Sequence, residues 1–263
     1  MPSSPPIVLT FAASDPSGGA GMQADLLTIA RLGCHPLSVL TAITAQDTRG
    51  VDSLLALEPE WIERQARLLL EDMPVAAFKI GVLGSARNAE AVAAILAAHP
   101  RIPVVLDPVL VSGRGDPLSD SETVQVLRSS LLPRTAVLTP NSVEARRLAL
   151  AAPDADLAGC ARSLTDLGCK YILITGTHEP GARVLNTLYD AKGRVREDAW
   201  PRLPGEYHGS GCTLASALAA MLAKSMAVPE AAEAAQAYTW KTLEAGFQPG
   251  RGQHLPDRFF NAK

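Results

Sequence analysis

Ile7-Val-Leu-Thr-Phe-Ala-Ala-Ser-Asp-Pro-Ser-Gly-Gly-Ala-Gly-Met22 runs from an apolar stretch through a glycine-rich turn into a segment that carries Asp25. An apolar run bounded by turn residues reads as a strand, and a helix entered straight from such a turn makes the pair a βα unit. Working outward, short β-branched runs recur at Leu37 to Thr44, Ala77 to Ile80, Val104 to Leu106, Ala136 to Leu138 and Tyr171 to Thr175. Several are apolar throughout, as strands covered by helices on both faces are. Between them apolar residues fall at helical spacing: Ile62, Ala66, Leu69 and Leu70; Val92, Ile95 and Leu96; Leu157, Ala161, Leu164 and Leu167. Val184 to Tyr189 and Val195 to Ala199 flank the turn Asp190-Ala-Lys-Gly193, which reads as a hairpin, and alanine-rich helices are expected from about Cys212 to Lys224 and Pro229 to Glu244. No Pro/Gly/Ser linker, charge block or solenoid repeat divides the chain, so residues 1–263 are expected to form one α/β domain around a mostly parallel central sheet. In such open sheets ligands gather beyond the carboxyl ends of the strands, and chemistry is sought in the residues just after each strand.

The composition, 47% hydrophobic and 19% charged, suits a sizeable core and not a disordered chain. The net charge of −3 comes with scattered cations, so no basic stripe is available to neutralise a nucleic-acid backbone. Met1 to Pro6 lacks a basic leader, and Ile7 to Ala13 is too short for a signal core or a membrane span, which makes a cytoplasmic location the expectation. The four cysteines, Cys34, Cys160, Cys169 and Cys212, form no C-x-x-C pair, so neither a disulfide framework nor a zinc cage is expected. The first three read as small buried hydrophobes.

The turn from Ser14 to Gly21 lets backbone amides approach a ligand and aims a helix N-terminus at it. It lacks the Gly-Lys-Ser/Thr ending of a P-loop and the spacing of a dinucleotide fingerprint, which argues against a Rossmann dehydrogenase. A purely structural turn is an equal reading at this point. Asp107 follows the strand ending at Leu106, which puts its carboxylate over the sheet's carboxyl edge. Asn141 and Glu144 follow the next strand end, where Asn-x-x-Glu is first of all a capping box. Asp107 and Glu144 together also make a carboxylate pair able to organise Mg²⁺ through water. The most pointed signal is His208-Gly-Ser-Gly-Cys-Thr213 ahead of an apolar helix. The N–H groups of Gly209, Ser210 and Gly211, with the helix dipole, suit developing negative charge such as a phosphoryl group in transfer. Cys212 in the first turn, where a dipole lowers a thiol pKa, is expected to act as a base or hydrogen-bond acceptor. A glycine-rich helix entry with a packed cysteine is the structural alternative.

These pieces resemble one family when taken in order: Ser14 to Asp25, Thr41-Ala-Ile-Thr-Ala-Gln-Asp-Thr-Arg-Gly-Val51, Lys79-Ile-Gly-Val-Leu83, Val105-Leu-Asp-Pro-Val109, Gly115-Asp-Pro-Leu118, Leu138-Thr-Pro-Asn-Ser-Val-Glu-Ala145 and His208 to Thr213. The chain is similar, over nearly its whole length, to the hydroxymethylpyrimidine/phosphomethylpyrimidine kinases of thiamin biosynthesis. That resemblance implies a three-layer α/β/α ribokinase-like fold, commonly a homodimer. It implies ATP-dependent phosphorylation of 4-amino-5-hydroxymethyl-2-methylpyrimidine and of its monophosphate. Carried over by position, Gln46 would read the pyrimidine edge, with Asp25, Val82 and Val109 lining the same pocket. The backbone amides of Gly209, Ser210, Gly211 and Cys212 would form the catalytic anion hole, with Cys212 where most ribokinase relatives place an aspartate. Asp107, Asn141, Glu144, Thr175 and Thr177 would stand near ATP, with Asp107 and Glu144 near Mg²⁺.

Three departures accompany the likeness. Thr175-Gly-Thr-His178 replaces the Lys-Gly-Gly-His of many members, which removes a positive charge near the phosphates. Ala13 stands where many have glycine and adds a methyl group beside the substrate ring, and Gly250-Arg-Gly-Gln-His254 follows the usual Gly-His-Gly only loosely. A pyridoxine/pyridoxal kinase is the nearest rival, against which Gln46 and Cys212 favour the pyrimidine. A pyrimidine-binding protein without kinase activity is the rival from another class, and Asp107, Glu144 and the intact Gly-Ser-Gly-Cys turn argue against it.

Overall fold

The computed structural model describes residues 4–111 and 118–261, so residues 115–117 of the Gly115 to Leu118 motif lie outside it. The strands are β1 Ile7–Ser14, β2 His35–Asp47, β3 Gly50–Ala56, β4 Val75–Ile80, β5 Val104–Leu106, β6 Val137–Leu138, β7 Tyr171–Thr175, β8 Arg183–Asp190 and β9 Gly193–Pro201. They form one sheet in the order β3-β2-β1-β4-β5-β6-β7-β8-β9. The pairs from β2 through β7 are parallel, and β3, β8 and β9 add antiparallel edges. The helices are α1 Gly21–Arg31, α2 Pro59–Asp72, α3 Ala86–Ala98, α4 Ser121–Val126, α5 Ser142–Ala149, α6 Leu157–Asp166, α7 Ser210–Ala223 and α8 Val228–Glu244.

Both faces of the sheet are covered, which is why its central strands are apolar at every position. Leu9, Phe11, Leu106 and Ile172 pack with Ile62 of α2, Val92 of α3, Ala145 of α5 and Leu164 of α6. Their strand neighbours Val8, Val105 and Leu173 turn the other way and pack with Ile29 of α1 and the alanines of α7 and α8. The side-chain alternation of a strand thus feeds two cores, and the three-layer expectation holds. Alanine suits α7 because small side chains let it lie close between the sheet and its neighbours α1 and α8. Cys34, Cys160 and Cys169 are buried as free thiols.

The sequence pattern did not reveal β3, whose Gly50-Val-Asp-Ser-Leu-Leu-Ala56 mixes polar and apolar residues and follows no Asn-Gly or Asp-Gly turn. The last β1–β2 pair is Ser14 with Ile43, whereas β2 and β3 stay paired out to Asp47 and Gly50. The hairpin therefore overshoots the sheet's carboxyl edge, with a register shift between Ala45 and Gln46. A distant segment clasps its tip. The Gly252 amide donates to Thr48 Oγ1 at 3.1 Å and the Gln253 amide to the Thr48 carbonyl at 2.9 Å. One residue on, the His254 amide donates to the Glu206 carbonyl and the His208 amide to the His254 carbonyl, both at 2.9 Å. The loosely matching Gly250 to His254 stretch so ties the hairpin to the turn that leads into α7. A side chain on Gly252 would collide with the Thr48 carbonyl. Gly252→Val is therefore expected to free the hairpin tip and speed tryptic cleavage at Arg49 severalfold, read by limited proteolysis and mass spectrometry; cleavage at the wild-type rate would show that the clasp is not what holds it.

Candidate active site

α7 begins after Gly209, whose φ of 81° lies where glycine is favoured. A side chain there would also strike the Gly19 carbonyl, so the turn before α1 and the turn before α7 lie one against the other. Asp15 stitches them together. It accepts from the Ser17 amide at 2.8 Å, the Ala20 amide at 2.6 Å and His208 Nε2 at 2.9 Å. Burial alone would raise its pKa, but the bonds from His208 and Ser17 outweigh that and hold the carboxyl well below the usual range. The Thr213 amide, bonding to the Gly209 carbonyl at 3.0 Å, is the first to close a turn of α7. The amides of Ser210, Gly211 and Cys212 come before it and are free by helix geometry to meet an anion. Asp107 lies opposite, with Oδ1 3.7 Å from where a Cβ on Gly211 would sit.

Beneath this turn a charge cluster is buried. Lys79 Nζ lies 2.9 Å from each oxygen of Asp25 and 4.0 Å from Asp107 Oδ2, and both Lys79 and Asp25 are fully enclosed. Asp25 also accepts from Thr10 Oγ1 and Ser216 Oγ, each at 2.7 Å. Burial opposes the lysine's charge, yet Asp25, the Cys212 sulfur and Asp107 together keep its pKa above the ordinary value. Asp107 is pushed up to about 6, chiefly by burial and partly offset by Lys79. Glu144 is pushed up to about 8 by burial and by the neighbouring Asp107.

A profile for phosphomethylpyrimidine kinase matches residues 15–257. The chain belongs to the phosphomethylpyrimidine kinase family. It is 44% identical over 257 residues to the hydroxymethylpyrimidine/phosphomethylpyrimidine kinase of Streptomyces coelicolor, covering 95% of this chain and 93% of that protein. Among solved structures it is similar to the pyridoxal kinase from Staphylococcus aureus in complex with ADP, with a TM-score of 0.90 and 28% identity over 99% of this chain and 96% of that one. It is also similar to the phosphomethylpyrimidine kinase from Clostridium difficile, with a TM-score of 0.77 and 33% identity over 91% and 98%. The ribokinase-like fold and the kinase expectation both stand.

Set within this family, the structure repositions several residues. Asp25 does not line an open pocket: its carboxylate is buried and spent on Lys79, Thr10 and Ser216. Cys212 is not a thiolate. Burial, with Asp107 and Asp25 close by, outweighs Lys79 and the Gly21 amide and pushes its pKa up to about 12, which favours the neutral thiol, a hydrogen-bond donor to Asp107, over a base. Glu144 does form the capping box, accepting from the Asn141 amide at 3.0 Å while Asn141 accepts from the Glu144 amide at 2.9 Å. Its other oxygen takes the Leu110 amide at 3.3 Å, which turns the carboxylate toward Asp107. Asn141 and Thr175 are bridged across the ends of β6 and β7, while Thr177 is exposed in the loop beyond, its carbonyl held by Arg202 at 2.8 Å. Ala13 is buried at the end of β1, and Val82, Val109 and Gln46 are half-buried just past or beyond the ends of β4, β5 and the β1–β2 pairing. Lys79 opens one of the segments that carry the resemblance but was given no role from sequence, although a lysine inside the apolar Val75-Ala-Ala-Phe-Lys-Ile80 was its signal.

Two outcomes follow from the cluster. Lys79→Met or Asp25→Asn alone strands a buried charge or donor and is expected to lower unfolding free energy by about 3–5 kcal/mol, while the double variant loses clearly less than the sum; additive losses in urea denaturation would contradict the pairing. Glu144 and Asp107 ionise in the unfolded chain near 4.5 and 3.8 but near 8 and 6 when folded, so the folded protein keeps protons that the unfolded chain has released. Their contribution is full below about pH 4 and is lost as pH rises through 6 and 8. The melting temperature of the metal-free protein should therefore fall from pH 5 to 8, and Glu144→Gln, which can still cap, should flatten the upper part of that slope.

Proposed function

We propose that this protein transfers the γ-phosphoryl group of ATP to the hydroxymethyl oxygen of 4-amino-5-hydroxymethyl-2-methylpyrimidine, and in a second round to the phosphate of the product, in thiamin biosynthesis. The observation that carries this reading is the row of free amides from Ser210 to Cys212 facing Asp107 at the sheet's carboxyl edge. Phosphoryl transfer passes through a loose transition state that asks mainly for alignment and for stabilisation of charge on the equatorial oxygens. Preformed amides at a helix N-terminus supply that stabilisation without reorganising. Asp107 accepts the proton of the attacking alcohol as the oxygen bonds to phosphorus and the bond from phosphorus to the ADP oxygen breaks, ADP leaving with the electron pair, while the single S–H of Cys212 steadies the Asp107 carboxylate. A carboxyl whose pKa stands near 6 is poised for that exchange near neutrality.

Gln46, on the overshooting hairpin, reads the pyrimidine edge through its amide, and Val82, Val109 and Ala13 pack on the ring. ATP lies toward Asn141, Glu144, Thr175 and Thr177. Mg²⁺ fits this arrangement, because Asp107 Oδ2 is buried with no hydrogen-bond partner among the described residues and Glu144 is its neighbour. When bound, the ion would be held by these carboxylates through water and would neutralise phosphate charge. Among the described residues no helix is long and apolar enough to cross a membrane, and a cytoplasmic homodimer is the reading we adopt. Ile43 and Leu55, cross-strand partners at the sheet edge, are 44% and 62% exposed and Trp61 is 57% exposed, which offers an apolar contact face for a second copy.

Pyridoxal is the second acceptor to test, because the likeness in shape to a pyridoxal kinase is high. ATP turnover should be greatest with hydroxymethylpyrimidine and its monophosphate; a clear pyridoxal preference would replace the substrate and keep the fold. Cys212→Ala is expected to lower kcat by about 10²-fold with little change in pyrimidine KM. Gln46→Ala should instead raise pyrimidine KM by about tenfold. Unchanged turnover in Cys212→Ala would remove the cysteine from the mechanism.

A further inference from the structure

Arg258 follows the last residue matched by the family profile, and its side chain runs back from the C-terminal end of the chain to the base of the anion turn. Its guanidinium donates to the Gly19 carbonyl at 2.6 Å, to the Gly18 carbonyl at 3.5 Å and, through Nε, to Thr213 Oγ1 at 3.2 Å. The residue is only 4% exposed. A buried arginine is ordinarily matched by a carboxylate, since an enclosed charge is costly without one. This one bonds only neutral oxygens, with Asp25 and Asp15 near enough to be felt but, among the described residues, no ion pair formed.

The partners explain the placement. Thr213 Oγ1, which receives the Arg258 bond, itself donates to the Gly209 carbonyl at 2.8 Å. That carbonyl belongs to the peptide whose other end is the Ser210 amide, and in a planar trans peptide fixing the C=O inward fixes the N–H outward. The same guanidinium holds the Gly18–Gly19 turn on which Gly209 rests. Arg258 thus bears on the aim of these amides and places a positive charge, without a directly paired carboxylate among the described residues, beneath them.

We propose that Arg258 is a positioning residue for phosphoryl transfer, acting through Thr213 and Gly209 to orient the Ser210 amide and adding its charge to the dipole of α7. This deepens the reading of that turn as the phosphoryl site and rests on it. The test compares wild type, Arg258→Ala and Arg258→Lys with whichever acceptor the wild-type enzyme phosphorylates, so a wrong substrate assignment shows in the wild type and leaves the comparison intact. Expected are a kcat at least about tenfold lower in Arg258→Ala, a KM for that acceptor changed less than about threefold, and partial recovery of kcat by millimolar methylguanidinium. Arg258→Lys, which keeps charge but loses the fork, should fall between. A folded Arg258→Ala with kcat within about twofold of wild type overturns the proposal, as does a loss of kcat matched by a proportional rise in acceptor KM without rescue. Should Arg258→Ala fail to fold, Arg258→Lys decides: wild-type kcat there overturns the proposal, and a kcat reduced at unchanged KM supports it.

Discussion

A lysine held out of water between two carboxylates organises the carboxyl edge of this sheet. Lys79 comes from β4, Asp25 from α1 and Asp107 from the end of β5, while Ser216 of α7 and Thr10 of β1 complete the shell of Asp25. An enclosed charge tolerates no missing partner, so these five elements reach their final positions together. Two helix N-termini, those of α1 and α7, are fixed in the process, one against the other and both above the same buried cation. The catalytic face is in this sense the upper surface of an electrostatic core.

That core also decides what kind of chemistry the face supports. A thiol at a helix N-terminus is ordinarily made more acidic, but here it shares its surroundings with Asp107 and Asp25, and burial removes the water that would solvate a thiolate. The competition among dipole, lysine, carboxylates and desolvation ends with a neutral sulfur and a carboxyl of intermediate acidity. Charge stabilisation by backbone dipoles is left as the main resource, which suits a reaction whose transition state has little covalent demand on the protein.

The end of the chain completes what its beginning starts. The segment around Gly252 and His254 links the tip of the β2–β3 hairpin to the turn before α7, and Arg258 then grips the turn before α1. The hairpin and the turn before α7 are joined by backbone hydrogen bonds and not by side-chain packing alone, so motion of the one is mechanically connected to the other.

The sequence by itself determined the layered α/β architecture, because strands buried on both faces must be apolar at successive positions and the helices between them must show an apolar stripe. It also determined the two glycine-rich turns, because Gly209 adopts a backbone conformation and a closeness to Gly19 that a side chain would prevent. The Asn141–Glu144 capping box was legible for the same local reason: its bonds span three residues. Only the tertiary structure decided the protonation of Cys212, the retreat of Asp25 from the pocket, the pairing of β3 and the parts played by Lys79 and Arg258. Most of those properties depend on burial and on partners far along the chain, such as Asp25, 54 positions from Lys79, and Gly19, 239 positions from Arg258. Burial sets the free energy of a charge, and no local pattern of residues states which charges folding will enclose together.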